Sequence, residues 1–340
     1  MLLVDCLKWV CSAEAMLEVP LGRNFSHRTF VFRGFPELQN HRRLLALLFS
    51  ASYLSVLLAN SVLVYIICSV KSLHGPMYVL ICSLCVVDIL VVTAIIPNML
   101  LNFLFDWNEI SLAGCLTQMF CTHLLSSVES TVLLAMALDR YVAICLPLRY
   151  PEIINSSVFV KLLLFTLVRS VSIMATLVGL AGSLQFCGSN IIQHCYCDHM
   201  ALVSLACDST EKNRAAGLAV IICFVGVDIP LIFYSYVKIL SVVLRAAAGE
   251  DRWKAFHTCS THLMVMMCFY LVGSVTFLSH NLNILIQTDV NSLMGLMYIL
   301  FPATLNPILY GVRTKEIRNG FFKIFNPRTK EIRSVKVFPA

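Results

Sequence analysis

From about residue 44 to residue 311 the chain repeats one pattern, a long apolar run followed by a short polar break. Seven runs reach the roughly 20 predominantly apolar residues that cross a bilayer as helix. They cover about 44 to 70, 77 to 104, 115 to 145, 158 to 181, 213 to 244, 255 to 279 and 290 to 311. The fifth and seventh carry Gly or Pro inside, which membrane helices tolerate. The expected fold is an all-α integral membrane protein, a bundle of seven transmembrane helices with its termini on opposite sides. Domain limits follow: a tail at 1–43, the bundle at 44–311, and a second tail at 312–340 with a short amphipathic helix.

Composition fits this picture. Only 13% of residues are charged and 59% are hydrophobic, with a mean hydropathy of +0.82, whereas a soluble domain carries about a quarter charged residues. Charge then sets the orientation, because Lys and Arg are retained on the cytoplasmic face. With the N-terminus outside, 16 of the 25 basic residues are cytoplasmic, eight are outside and Arg169 is left in the membrane. Ten acidic residues then lie outside against six inside. Arg42 and Arg43 oppose this locally, since they abut the first helix on its outer side. The net charge of +6 is a membrane-orientation signal. No basic patch with interleaved aromatics points to nucleic acid.

The first fifteen residues, MLLVDCLKWVCSAEA, are broken by Asp5 and Lys8 and do not read as a signal peptide; Met16 is an alternative start. Asn24 opens an Asn-Phe-Ser sequon on the outer side and is the expected glycosylation site, while the sequon at Asn155 falls in a cytoplasmic loop. Of fifteen cysteines, most are scattered through the helices as small buried hydrophobes. Cys187, Cys195, Cys197 and Cys207 crowd the long loop at 182–212, and Cys115 stands at the outer end of the third helix. An oxidising face predicts disulfides there. With His194 and His199 the same residues can also be read as a metal cage, although the spacing matches no familiar zinc pattern.

Asp88, Glu129, Arg169 and Asp228 are ionisable groups inside apolar runs, each a functional candidate because charge at bilayer depth is costly. Asp88 and Glu129 both fall roughly 16 Å deep at about 1.5 Å per residue. With Asn60 on the first helix and Asn306 on the seventh, they can hold a sodium ion or share a proton. The plainer reading is a protonated polar core that fixes helix packing. No other cofactor is expected. Arg169 and Asp228, on the fourth and fifth helices at depths of roughly 12 to 15 Å, form a candidate ion pair of architectural role.

Five stretches fall in register along the chain: LHGPMY at 73–78, MALDRYVAICLPLRY at 136–150, SY at Ser235 and Tyr236, KAFHTCSTHL at 254–263 and PATLNPILYG at 302–311. On these motifs the chain resembles the vertebrate odorant receptors, within the rhodopsin-like G-protein-coupled receptors, over nearly all of its length after about residue 28. HCYCDHM, Arg169 and Asp228 resemble the class I, water-borne-odorant branch. Ala59-Asn60 stands where Gly-Asn is more usual, and His257 where Ser is frequent. Both bear on subfamily and ligand only.

The resemblance implies a fold, a function and a set of residues. Cys115–Cys197 and Cys187–Cys207 would be the disulfides, leaving Cys195 unpaired. Asp139, Arg140 and Tyr141 would form the switch facing a heterotrimeric G protein of the stimulatory, cAMP-raising type. Arg140 would be held at rest by Asp139 and by groups around Thr258 and His262. Tyr236 and Tyr310, with Asn306 in the seventh helix, would receive it on activation. Pro147 ends the third helix, and the basic loop after it suits a partner and anionic lipid.

The ligand, a small and polar odorant, is expected in the outer half between helices three, five, six and seven. His123, Ser126, Ser127 and Ser130 recur there at spacings of three and four. Met200, Tyr270, Phe277 and Asn281 join them by resemblance. His280 and Asn281 stand where some class I relatives have an arginine for a carboxylate, which argues against an acid ligand. The protein is expected in the plasma membrane, in olfactory cilia if the resemblance extends to tissue. A transporter or channel, or a rhodopsin-like receptor outside the nose, are the alternatives. Against the transporter stand the absence of paired halves and of broken helices. Nothing in the chain matches a catalytic motif.

Overall fold

The computed structural model describes residues 26–246, 259–260, 263–267, 269–275 and 287–325. Its longer helices are α1 (Arg42–Ser69), α2 (Pro76–Phe105), α3 (Leu112–Cys145), α4 (Ser156–Gly182), α5 (Glu211–Ala246), α6 (Leu263–Val275), α7 (Thr288–Arg313) and α8 (Lys315–Phe325). Six of these are long and apolar enough to cross a membrane, and α6 is a shorter apolar helix that falls within the sixth run. A helix satisfies its backbone internally, so an apolar run with no water to bond must take this form. The spanning helices end where capping chemistry appears. Pro76 opens α2, the Ser111 hydroxyl accepts from Gly114 N–H at 3.1 Å to open α3, and Asn155 accepts from Val158 N–H at 3.1 Å to open α4.

α3 runs through the centre, packed against α2, α4 and α5, while α7 packs on α1 and α2. Burial follows that placement. α3 keeps Gln118, Thr122, Ser126, Ser127, Glu129 and Ser130 inside, whereas α1 and α4 leave Leu44, Leu47, Leu58, Leu163 and Leu164 exposed. Such leucines need no partner when lipid is the solvent. α8 lies against α1, and Gly320 allows it, because a Cβ there would meet Ile66 at 3.1 Å.

No strand is expected from the sequence pattern, but one end of the bundle carries a small sheet of order β2-β1-β3. β1 (Thr29–Phe32) pairs antiparallel with β2 (Glu109–Ser111) and parallel with β3 (Ile191–Ile192). Phe30 and Phe186, both fully buried, meet edge to face at 5.2 Å beneath it. Two disulfides, Cys115–Cys197 and Cys187–Cys207, fasten the same end. Cys195 is free but buried, its thiol 3.9 Å from the Ser292 carbonyl of α7. The loop, the tail and α7 are thus stitched together, with Gly34 N–H donating to the His194 carbonyl (3.2 Å) and Ser292 to the Gly34 carbonyl (3.2 Å). Arg42 finds an acidic partner here: it pairs with Asp106 at the end of α2 and donates to the Asn102 carbonyl at 2.6 Å.

Candidate functional site

Inside the bundle, Arg169 on α4 points its Nη2 at Asp228 on α5, 3.2 Å from Oδ1 and 3.4 Å from Oδ2. The same nitrogen donates to the Cys223 carbonyl at 3.0 Å, and the guanidinium lies over the Phe224 ring at 4.2 Å. Ser130 of α3 donates its hydroxyl proton to Asp228 Oδ2 at 2.6 Å. A hydroxyl has one proton to give, so in the 2.8 Å bond between Ser130 and Tyr270 the donor is the tyrosine of α6. Four helices therefore meet on one carboxylate. Asp228 is fully buried, and a lone charge there would be costly, which explains why donors converge on it.

Next to this network lies a cavity of about 560 Å³, mouth included, bounded by α3, α4, α5, α6 and α7. Its hydrogen-bonding groups come from His123, Ser126, Ser127, Ser130, Ser274 and Tyr270. Its apolar wall comes from Met174, Phe224, Phe269 and Tyr298. Ser127 is also bonded to Ser170 of α4 at 2.5 Å, and Tyr298 bonds Ser126. Gly273 lets α6 approach α7, since a Cβ there would stand 2.7 Å from the Tyr298 ring. The cavity thus gathers His123, Ser126, Ser127 and Tyr270 as one set. Met200 is half-buried on the loop helix His199–Val203 and is not among the lining residues. Phe277 and Asn281 lie outside the described residues, as do His262 and Asn24. Met174, Phe224, Phe269 and Tyr298 are lining residues not expected from the sequence. Only Phe224 left a signal, one helical turn before Asp228.

The loop helix lies near His123, which interacts electrostatically with both His199 and Asp198. Asp198 caps it, accepting from Met200 N–H (3.0 Å) and Ala201 N–H (3.2 Å). Burial pushes the His199 imidazole down to about 4, the nearby His123 ring adds to that, and Asp198 and Asn213 act against it. At neutral pH His199 is uncharged.

A second polar group lies deeper along α2, α3 and α7. Asn306 donates to Asp88 Oδ2 at 3.0 Å, and Asn60 donates to the carbonyls of Ala303 (2.9 Å) and Val56 (3.0 Å). Glu129 is close enough to feel the Asp88 charge. Asp88 Oδ1, Glu129 Oε1, Asn60 Oδ1 and Asn306 Oδ1 are buried acceptors without a hydrogen-bond donor among the described residues. At the end of α3, Arg140 Nη2 is 3.2 Å from Asp139 Oδ2, and Tyr150 donates to Asp139 Oδ1 at 2.7 Å. Burial, then Asp139, raises the Tyr150 phenol above its ordinary value and keeps it a donor. Tyr236 and Tyr310, both buried, stand within electrostatic reach of Arg140, while Tyr141 is half-buried against the core.

Residues 49–328 match the family model described as olfactory receptor. Olfactory receptor 51E2 of Mus musculus is 39% identical over 302 residues, covering 89% of this chain and 94% of that protein. Olfactory receptor 51E1 of Homo sapiens is 40% identical over 314 residues, covering 92% and 98%. Among solved structures, squid rhodopsin superposes with a TM-score of 0.67 at 16% identity over 89% of this chain and 93% of that one, a likeness of fold.

Proposed function

Because this chain belongs to the olfactory receptor family, we propose that it is an odorant-activated G-protein-coupled receptor, taking its ligand in the cavity and its G protein at the Arg140 end. It is a multi-pass protein of the plasma membrane. The disulfide end then lies outside and the Arg140 end in the cytoplasm, an orientation that the distribution of loop charge supports. One observation carries it: two cavity-lining hydroxyls, Ser130 and Tyr270, are themselves members of the Asp228–Arg169 network. A ligand that bonds to either changes how α6 is held to α3 and α5.

The mechanism follows from that junction. With a ligand in place the Tyr270 bond is exchanged for a ligand contact, and α6 tilts relative to α3. At the far end Arg140 leaves Asp139 and turns toward Tyr236 and Tyr310, opening a face for the tail of a stimulatory G protein, which raises cAMP. No lining residue among those described carries a fixed charge, and the polar groups are hydroxyls and one imidazole. A small neutral odorant with an apolar body and one or two hydrogen-bonding groups fits that wall better than a carboxylate. The unpaired oxygens around Asp88 and Glu129 suit one sodium ion, or one proton shared between the carboxylates. The exposed Phe321 and Phe322 of α8, with Arg318 and Lys323, suit the lipid surface.

The test is a ligand panel of amino acids, short acids, amines, alcohols and steroids read as cAMP in cells with surface-labelled receptor. His123→Ala and Ser130→Ala are expected to shift potency about tenfold for the active ligands. Dose–response curves that neither substitution moves place the ligand elsewhere.

A further inference from the structure

At the disulfide end, apart from the ligand cavity, a second cleft of about 410 Å³, open mouth included, lies between the tail after β1, the start of α1 and the end of α2. Its walls are of a different kind. Phe103 and Phe35, both nearly buried, supply an aromatic wall, while Arg33, Gln39, Arg42, Asp106 and Asn108 supply the polar groups. Two arginines and one aspartate are among its lining residues, so the cleft carries a net positive charge.

The two arginines are differently employed. Arg42 is spent inside the protein, with Nη1 on Asp106 and Nη2 on the Asn102 carbonyl. The Arg33 guanidinium has no partner among the described residues, although its backbone is fixed by donation to the Ile192 carbonyl at 3.0 Å. The side-chain amides of Gln39 and Asn108 are likewise unpaired among the described residues. A guanidinium offers paired donors that suit the two-oxygen edge of a carboxylate or phosphate, and the amides of Gln39 and Asn108 line the same cleft.

We propose that this cleft is a second binding site, taking a small oxyanion with Arg33 as its main contact and Arg42 shared between that ligand and Asp106. Two sources offer the same chemistry. Exposed Leu44, Leu47 and Leu48 on the adjoining turns of α1 would carry the chains of a lipid whose headgroup enters the cleft, and a free anion can enter from water. Either occupant ties the tail to α1 and α2 and so fixes β1, which pairs with β3 a few residues before the loop helix His199–Val203. The site stands independently of the odorant reading.

The test uses the full-length receptor and follows its thermal unfolding in two settings. One is neutral detergent with inorganic phosphate against chloride at equal ionic strength. The other is nanodiscs of phosphatidylcholine with or without phosphatidylglycerol. A ligand that binds only the folded state raises the midpoint. Arg33→Gln is expected to weaken the apparent affinity about tenfold, and Asp106→Asn to tighten it several-fold by releasing Arg42. Substitutions that merely damaged packing would act in one direction. Protection by phosphate marks a soluble anion as occupant, protection by phosphatidylglycerol alone marks a headgroup, and both support the site. Protection by neither, protection that survives Arg33→Gln, or no tightening in Asp106→Asn overturns it.

Discussion

Two arginine–aspartate pairs in this molecule share a separation of 3.2 Å and little else. Arg169–Asp228 bridges two helices and is sealed, with 11% and 0% of the side chains exposed. Both carboxylate oxygens have donors, and an aromatic ring covers the cation. Asp139–Arg140 joins neighbours on a single helix. Arg140 is 24% exposed, and among the described residues its Nε has no hydrogen-bond partner and Asp139 Oδ2 accepts no hydrogen bond beyond the ionic contact. The distance is the same, so the surroundings decide what each pair can do. Separating the first strands a charge in apolar surroundings, while separating the second moves a half-solvated cation to nearby tyrosines.

Breaking the sealed pair is expected to do the most damage. Asp228→Asn or Arg169→Met leaves an uncompensated buried group at a cost of about 3–5 kcal/mol, read by flow cytometry as lost surface delivery. Joining Arg169→Met with Asp228→Leu should restore delivery, because a well-packed apolar pair replaces a buried ionic one at little cost. Delivery that stays lost in the double variant denies the pairing its importance.

The loop helix near His123 sharpens the contrast through pH. Folded His199 takes a proton only at about 4, against 6.5 for the free side chain. Below that upper value the unfolded chain binds the extra proton, so the contribution of His199 is complete above it and lost as pH falls toward the lower one. Between about pH 7 and pH 5 the loss amounts to about 2 kcal/mol, seen as a falling unfolding midpoint in detergent. His199→Gln should flatten that fall, and an equally steep curve in the variant would assign it to another group.

The open pair answers to smaller pushes. Tyr150→Phe removes a donor from Asp139, about 1 kcal/mol of the hold on the resting arrangement, and should raise basal cAMP several-fold at matched surface level. Unaltered basal output would remove Asp139 from the resting lock.

The bundle was legible because apolar length in a bilayer leaves the backbone no alternative to helix, and six of the seven runs end within three residues of the observed helices. The sheet was not, since strands of two to four residues carry no periodicity, and Thr29–Phe32 gains its form only by lying between two loops. Arg42 looked like a conflict in charge because sequence spacing cannot show Asp106 sixty-four positions away. The hydroxyl face of α3 could be read from spacings of three and four. Met174, Phe269 and Tyr298 could not, because on a membrane helix an apolar residue facing a cavity resembles one facing lipid.

The central claim is that the cavity governs the Arg140 end through the hold of Tyr270 on Ser130 and Asp228. Tyr270→Phe in surface-delivered receptor tests it most directly, with agonist occupancy by competition binding and maximal cAMP measured in the same cells. The account predicts occupancy within a few-fold of the parent and maximal cAMP changed by about tenfold, since one buried hydroxyl bond is lost while the cavity keeps its shape. Maximal cAMP equal to the parent at equal occupancy would contradict it.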